Sequence, residues 1–103
     1  MILRYTPLAR QDLHEIEDYI KNDLANPQAA KNTVQQILMG CSNLKDNPKL
    51  GLDMSDKIGQ KTDLRYLIIS NYIAVYKIEK NIINIIRIRD GRTDYISYLF
   101  SDH

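Results

Sequence analysis

The chain opens with a short apolar, β-prone run from Met1 to Tyr5 that ends at Thr6-Pro7, a threonine able to cap a helix followed by a proline suited to its first turn. Beyond it, Leu13, Ile16, Ile20 and Leu24 recur at three- and four-residue spacing, while Asp12, Glu15, Asp18 and Lys21 take the other faces. That spacing predicts an amphipathic helix with one buried stripe. Asn26-Pro27 repeats the start signal, and Ala30, Val34, Ile37, Leu38, Cys41 and Leu44 supply a second stripe before Asn47-Pro48 stops it. So short a connection predicts an antiparallel helical hairpin.

Residues 47–62 hold Pro48, Gly51 and Gly59 among mixed charges, which is loop chemistry. Three β-rich runs follow, at about Leu64–Ser70, Tyr72–Ile78 and Ile82–Arg89, with connections short enough for hairpins. Thr93 and Asp94 can cap a final helical turn through Tyr95, Tyr98, Leu99 and Phe100. The apolar stripes of the helices need a sheet face to cover. The expected fold is therefore α+β: an N-terminal strand, a helical hairpin packed on one face of a small, mainly antiparallel four-stranded sheet, and a short C-terminal helix. At 103 residues this is one domain, 1–103, with one core. Alternation along the third run puts Ile82, Ile86 and Ile88 on one face and Arg87 and Arg89 on the other. The helices are expected to cover the isoleucines and leave the arginines on the open face, with Arg65 placed beside them.

Composition excludes several classes. The hydrophobic fraction of 44% and charged fraction of 26% are those of a globular chain. No run reaches signal-peptide or membrane-span length, so the expectation is a soluble, cytoplasmic protein with no membrane partner. The lone Cys41 falls on an apolar helical stripe and reads as a core residue. His14 and His103 have no ligand partner at a recognisable spacing, so no metal is expected. Charge is uneven: Met1 to Asp56 carries six Lys/Arg against eight Asp/Glu, and Lys57 to His103 eight against five. A mildly basic C-terminal half suits a phosphate backbone.

The candidate chemistry lies in that half. Guanidinium forks match phosphate geometry, so Arg65, Arg87 and Arg89 on one sheet face could position an RNA backbone or stabilise a phosphorane. RNA cleavage also needs a proton acceptor and a donor to the leaving oxygen. With no histidine suitably placed, Tyr95, Lys57 or Lys61 would have to serve. The competing reading makes the arginines solvent-facing strand residues paired with Asp63, Glu79, Asp90 and Asp94, and makes Tyr95 a docking residue for the last turn. No glycine-rich phosphate loop or catalytic Ser/His/Asp set is present.

Several segments, in order, resemble the RelE/ParE superfamily of toxins: Asn26-Pro27-x-Ala29-Ala30, Leu44-x-x-Asn47-Pro48-x-x-Gly51, Asp63-Leu64-Arg65-Tyr66, Asn71-Tyr72-Ile73-Ala74-Val75-Tyr76 and Ile88-Arg89-Asp90-Gly91-Arg92-Thr93-Asp94-Tyr95. The resemblance covers nearly the whole chain. It implies the toxin of a bacterial type II toxin–antitoxin pair, held inactive by a cognate antitoxin that wraps the helices and sheet. Operator DNA would be bound only through the antitoxin, and no cofactor is implied. The superfamily divides into ribosome-dependent mRNA endonucleases and inhibitors of DNA gyrase, with non-toxic antitoxin binders as a third possibility. For the nuclease branch, Arg65, Arg89 and Tyr95 match the catalytic positions. Lys57 and Lys61 approximate its basic pair, and Arg87 and Arg92 would contact RNA, with ribosome and mRNA as partners. The expectation is a nuclease by a narrow margin, because the Gly91-Arg92-Thr93-Asp94-Tyr95 turn is closer to the ParE-like, gyrase-directed pattern. Asp90 stands where that pattern has histidine.

Overall fold

In the computed structural model, which describes residues 1–92, both proline signals fall where helices begin. Strand β1 (Ile2–Tyr5) ends at Thr6, whose hydroxyl accepts the Ala9 N–H at 3.1 Å and caps α1 (Pro7–Asp18). The same hydroxyl donates to the Ile86 carbonyl at 2.9 Å, so one side chain fixes both the helix start and its seat on the sheet. The helix runs on through a π-helical turn, Tyr19–Asp23. Asn26 then caps α2 (Pro27–Ser42) by accepting from Ala29 N–H at 3.1 Å, and a 3₁₀ turn, Asn43–Lys45, ends it. The remaining elements are β2 (Leu52–Asp53), α3 (Ser55–Ile58), β3 (Arg65–Ile69), β4 (Tyr72–Glu79) and β5 (Ile82–Asp90). The final turn expected through Tyr95 lies outside the described residues.

The sheet has five strands in the order β1-β5-β4-β3-β2, not four, and it is mixed: β1 pairs parallel with β5, and the other neighbours are antiparallel. The additional strand, Leu52–Asp53, is too short to show a period of two in sequence. It forms because tertiary bonds bring its segment to the sheet. Tyr76 Oη donates to the Pro48 carbonyl at 2.8 Å and accepts from Gly51 N–H at 3.0 Å, while Arg65 Nη2 donates to the Gly51 carbonyl at 2.6 Å. Gly51 is required there. A Cβ would stand 2.5 Å from the Tyr66 carbonyl oxygen and 2.7 Å from the Tyr76 hydroxyl.

The helical hairpin covers one sheet face, burying Ala9, Ile37, Cys41 and Leu44 against Ala74, Tyr76, Ile83, Ile85 and Ile88. The other face is open only in part. The 52–64 segment folds back over it, packing Met54, Ile58 and Leu64 on Tyr66, Ile73 and Val75. In β5 the isoleucines in the core under the helices are Ile83, Ile85 and Ile88, so of the three expected there only Ile88 is, while Ile82 lies on the opposite side and Ile86 is left out of the pairing. The cause is a β-bulge: Arg87 pairs with Val75 and Ile85 with Tyr76, leaving Ile86 as an extra residue that reverses the alternation.

Cys41 is fully buried, as its helical position implied, and is hydrogen-bonded to the Tyr5 phenol. Burial pushes its thiol up to about 11 from 9.0 and pushes the Tyr5 phenol up as well. In the unfolded chain the thiol ionises first, so stability is fully present below pH 9 and declines as pH rises from 9 to 11, by on the order of 2 kcal/mol. Urea unfolding across that range should show the decline, and Cys41→Ala should make it shallower, leaving the part that the buried Tyr5 phenol contributes above pH 10. An unchanged slope in that variant would rule the thiol out.

Candidate functional site

The arginines singled out from sequence do not share one surface. Arg65 pairs in register with Tyr76, whose side chain belongs to the core under the helical hairpin, so Arg65 faces the hairpin side. There it donates to the Lys49 and Gly51 carbonyls at 3.3 and 2.6 Å, a structural clamp on the 48–51 loop. Arg87 and Arg89 pair with Val75 and Ile73 on the other side of the sheet. The expectation that all three lie together is therefore corrected. Tyr66 to Ile69 are apolar on both faces, so sequence alternation had nothing with which to assign Arg65.

Arg87 and Arg89 are not on an open face either; their side chains are 17% and 19% exposed. Strand β1 follows β5 only to Ile85, where the chain turns into α1. Past that point the edge of β5 faces α1, and Asp12 fills it. Its carboxylate accepts the Ile88 N–H at 2.9 Å, a two-pronged bond from Arg87 at 2.8 and 3.0 Å, and Arg89 Nη1 at 3.4 Å. Bonding to this carboxylate pushes the Arg87 guanidinium further up. Asp12 is 4% exposed, which overturns its assignment to an outer helix face. A signal existed: Asp12 lies three residues after the buried Ala9 and just before Leu13, inside the core-facing arc of α1.

Next to this cluster, a groove of about 380 Å³ runs between the helical hairpin and the end of β5. Its lining is apolar at Ile16, Ile20, Tyr72 and Ile88, its rim carries Glu15, Arg89 and Arg92, and the buried Asp12 also borders it. Tyr19 and Leu24 line it while more than half exposed. Arg92 is held by Asp90 at 2.7 Å, and that bond draws the Asp90 carboxyl below the usual range. Burial pushes the Tyr72 phenol up.

Lys57 stacks its ammonium over the Tyr66 ring, 5.1 Å from the centroid, on the face opposite the groove-side hairpin. With Ser70, Asn71 and Arg92 it borders a second depression of about 350 Å³. Lys61 is exposed on the loop before β3, and Tyr95 lies outside the described residues. His14 is exposed on α1 beside Asp18 and does not line either depression. Among the described residues no group of His, Cys, Asp or Glu could hold a metal, and no helix is long and apolar enough to cross a membrane.

The family described as "ParE toxin of type II toxin-antitoxin system, parDE" matches residues 3–95. The chain belongs to this ParE toxin family. Among solved structures ten chains match; one, described as "Chromosomal ParDE TA system from P. aeruginosa", is 25% identical with a TM-score of 0.74, over 87% of this chain and 95% of that one. No curated protein matches. Membership accounts for the α+β architecture and makes this ParE-family chain the toxin partner of a type II system.

Proposed function

We propose that this ParE-family toxin arrests growth by engaging DNA gyrase, without cutting RNA, and that a cognate antitoxin holds it inactive. The observation that carries the reading is the commitment of the arginines. A phosphoryl-transfer site needs cations converging on one phosphate with a proton acceptor beside them. Here Arg65 is spent on backbone carbonyls of one face, and Arg87 gives both prongs of its fork to Asp12 on another. Releasing either for a substrate would leave buried groups unsatisfied. The apolar groove beneath exposed Tyr19 and Leu24 instead suits protein contacts, and is the surface we assign to the antitoxin. Sequence-specific recognition of operator DNA then falls to the antitoxin.

Purified chain added to gyrase should inhibit supercoiling, and its induction in cells should raise the SOS response with messages intact. A second reading, ribosome-dependent mRNA cleavage, is favoured by Arg89 and Arg92 meeting on the groove rim at the end of β5, directly before the segment containing Tyr95. Primer extension after induction separates the two. Cuts confined to translated frames, absent in Arg89→Ala and Tyr95→Phe, would replace the gyrase reading with the nuclease. Normal growth with antitoxin binding retained would remove both.

A further inference from the structure

The sheet topology gathers a second set of basic residues, separate from the arginines discussed above. Strand β1 joins parallel to β5, so Arg4 lies opposite Asn84, which lies opposite Lys77 on β4. Residues in register on neighbouring strands share a face, so these three form a row across the sheet on the side away from the helical hairpin. Arg4 and Lys77 are two strand spacings apart, about 10 Å. The β4–β5 turn carries exposed Lys80, and its Asn81 carbonyl accepts the Ile2 N–H at 2.9 Å, which holds the turn against β1. The Met1 nitrogen donates to the Lys45 carbonyl at 3.3 Å, which brings the 3₁₀ turn to the same end.

Arg4, Lys45, Lys77 and Lys80 thus come from four segments to one end of the sheet. Among the described residues none of the four makes an ion pair. Of the acidic neighbours, Glu79 accepts from the Asn84 amide at 2.8 Å and Asp46 follows Lys45. The first helix and its π-turn, residues 7–23, are the opposite, with five acidic residues against two basic. The charge of this nearly neutral chain is therefore spatially divided.

We infer that this basic end is a contact surface for the phosphate backbone of duplex DNA. Cations on strands whose backbones lie about 10 Å apart, none of them tied to a carboxylate by an ion pair, complement a repeating polyanion and gain affinity by releasing its counterions. The end lies some six residues along β5 from the groove, about 20 Å at strand rise, and stays accessible when the groove is filled. The choice of duplex DNA among polyanions rests on the gyrase reading, since a toxin seated on gyrase meets the duplex that gyrase holds.

The test is fluorescence anisotropy of a labelled 20-base-pair duplex with the purified chain over a salt series. The wild type should bind with a negative log–log salt slope. Arg4→Gln, Lys45→Gln, Lys77→Gln and Lys80→Gln combined should weaken binding at low salt at least tenfold and reduce the slope by about 2 to 4, near 0.9 for each phosphate no longer neutralised. Lys21→Gln with Lys31→Gln, on the helices, should leave both unchanged, and circular dichroism should show each variant folded. No salt-dependent binding by the wild type, or an unchanged slope in the fourfold variant, overturns the inference. Tighter binding to single-stranded RNA or to poly-glutamate overturns duplex DNA as the occupant. A supercoiling assay run in parallel keeps the two proposals apart: gyrase inhibition without duplex binding sinks this inference alone, and duplex binding without gyrase inhibition sinks the gyrase reading alone.

Discussion

Asp12→Ala should cost about 3 to 5 kcal/mol of stability, the range expected when one member of a buried ion pair is removed and its partner stays behind. The loss combines several terms. Arg87, only 17% exposed, keeps its charge without the carboxylate that received both prongs of its fork, and Arg89 loses one acceptor. The Ile88 N–H, at the edge that β1 has vacated, is left without its acceptor. Since a domain of this size is stable by roughly 5 to 15 kcal/mol, the loss takes a large share of the total and should lower the unfolding midpoint markedly. Urea denaturation measures the difference directly. Asp12→Asn, which retains an acceptor for the N–H but not the charge, should fall between the two. Arg92→Ala, which breaks the exposed pair with Asp90, should leave the midpoint where it was. A loss below about 1 kcal/mol for Asp12→Ala would mean that the cluster contributes little net stability.

Tyr76→Ala should lose a comparable amount, about 3 to 5 kcal/mol, because it empties a fully buried aromatic site at the centre of the sheet. Tyr76→Phe isolates the hydroxyl. It keeps the ring but strips the Pro48 carbonyl and the Gly51 N–H of their partner, which should cost about 1 to 3 kcal/mol. Gly51→Ala pushes a methyl into the Tyr66 carbonyl and the same hydroxyl, for a further loss of about 1 to 3 kcal/mol. The two positions touch, so the double variant Tyr76→Phe/Gly51→Ala should be less destabilised than the sum of the singles. Strict additivity would show that the hydroxyl does not hold the 48–51 loop. Hydrogen exchange should also quicken at Leu52 and Asp53 in Tyr76→Phe, since β2 depends on that anchor.

Much of the architecture was legible from local chemistry. Thr6-Pro7 and Asn26-Pro27 mark the starts of α1 and α2, because a capping oxygen and a proline act within one turn of where they sit. The runs expected at 64–70, 72–78 and 82–89 became strands at Arg65–Ile69, Tyr72–Glu79 and Ile82–Asp90, since two-residue connections leave a hairpin as the natural arrangement. The candidate site was legible only as a roster of arginines. Their identities were visible and their partners were not: Arg87 and Arg89 are held by an aspartate some 75 residues away that the helical pattern had assigned to solvent.

What the sequence by itself determined was the order of elements, the helical hairpin over a β-meander, the buried thiol and, through its ordered motifs, the toxin superfamily. Each of these rests on residues close together along the chain, where capping, periodicity and turn formation operate. Only the tertiary structure decided which faces the arginines occupy, that β1 lies parallel to β5 and places Arg4 in a row with Lys77, and that Leu52–Asp53 is a strand. A single bulged residue, Ile86, reverses the alternation of a strand, and one buried carboxylate redirects two guanidinium groups. Both follow from pairing between distant segments, whose register is settled by the packing of the whole sheet and not by any stretch of sequence within it.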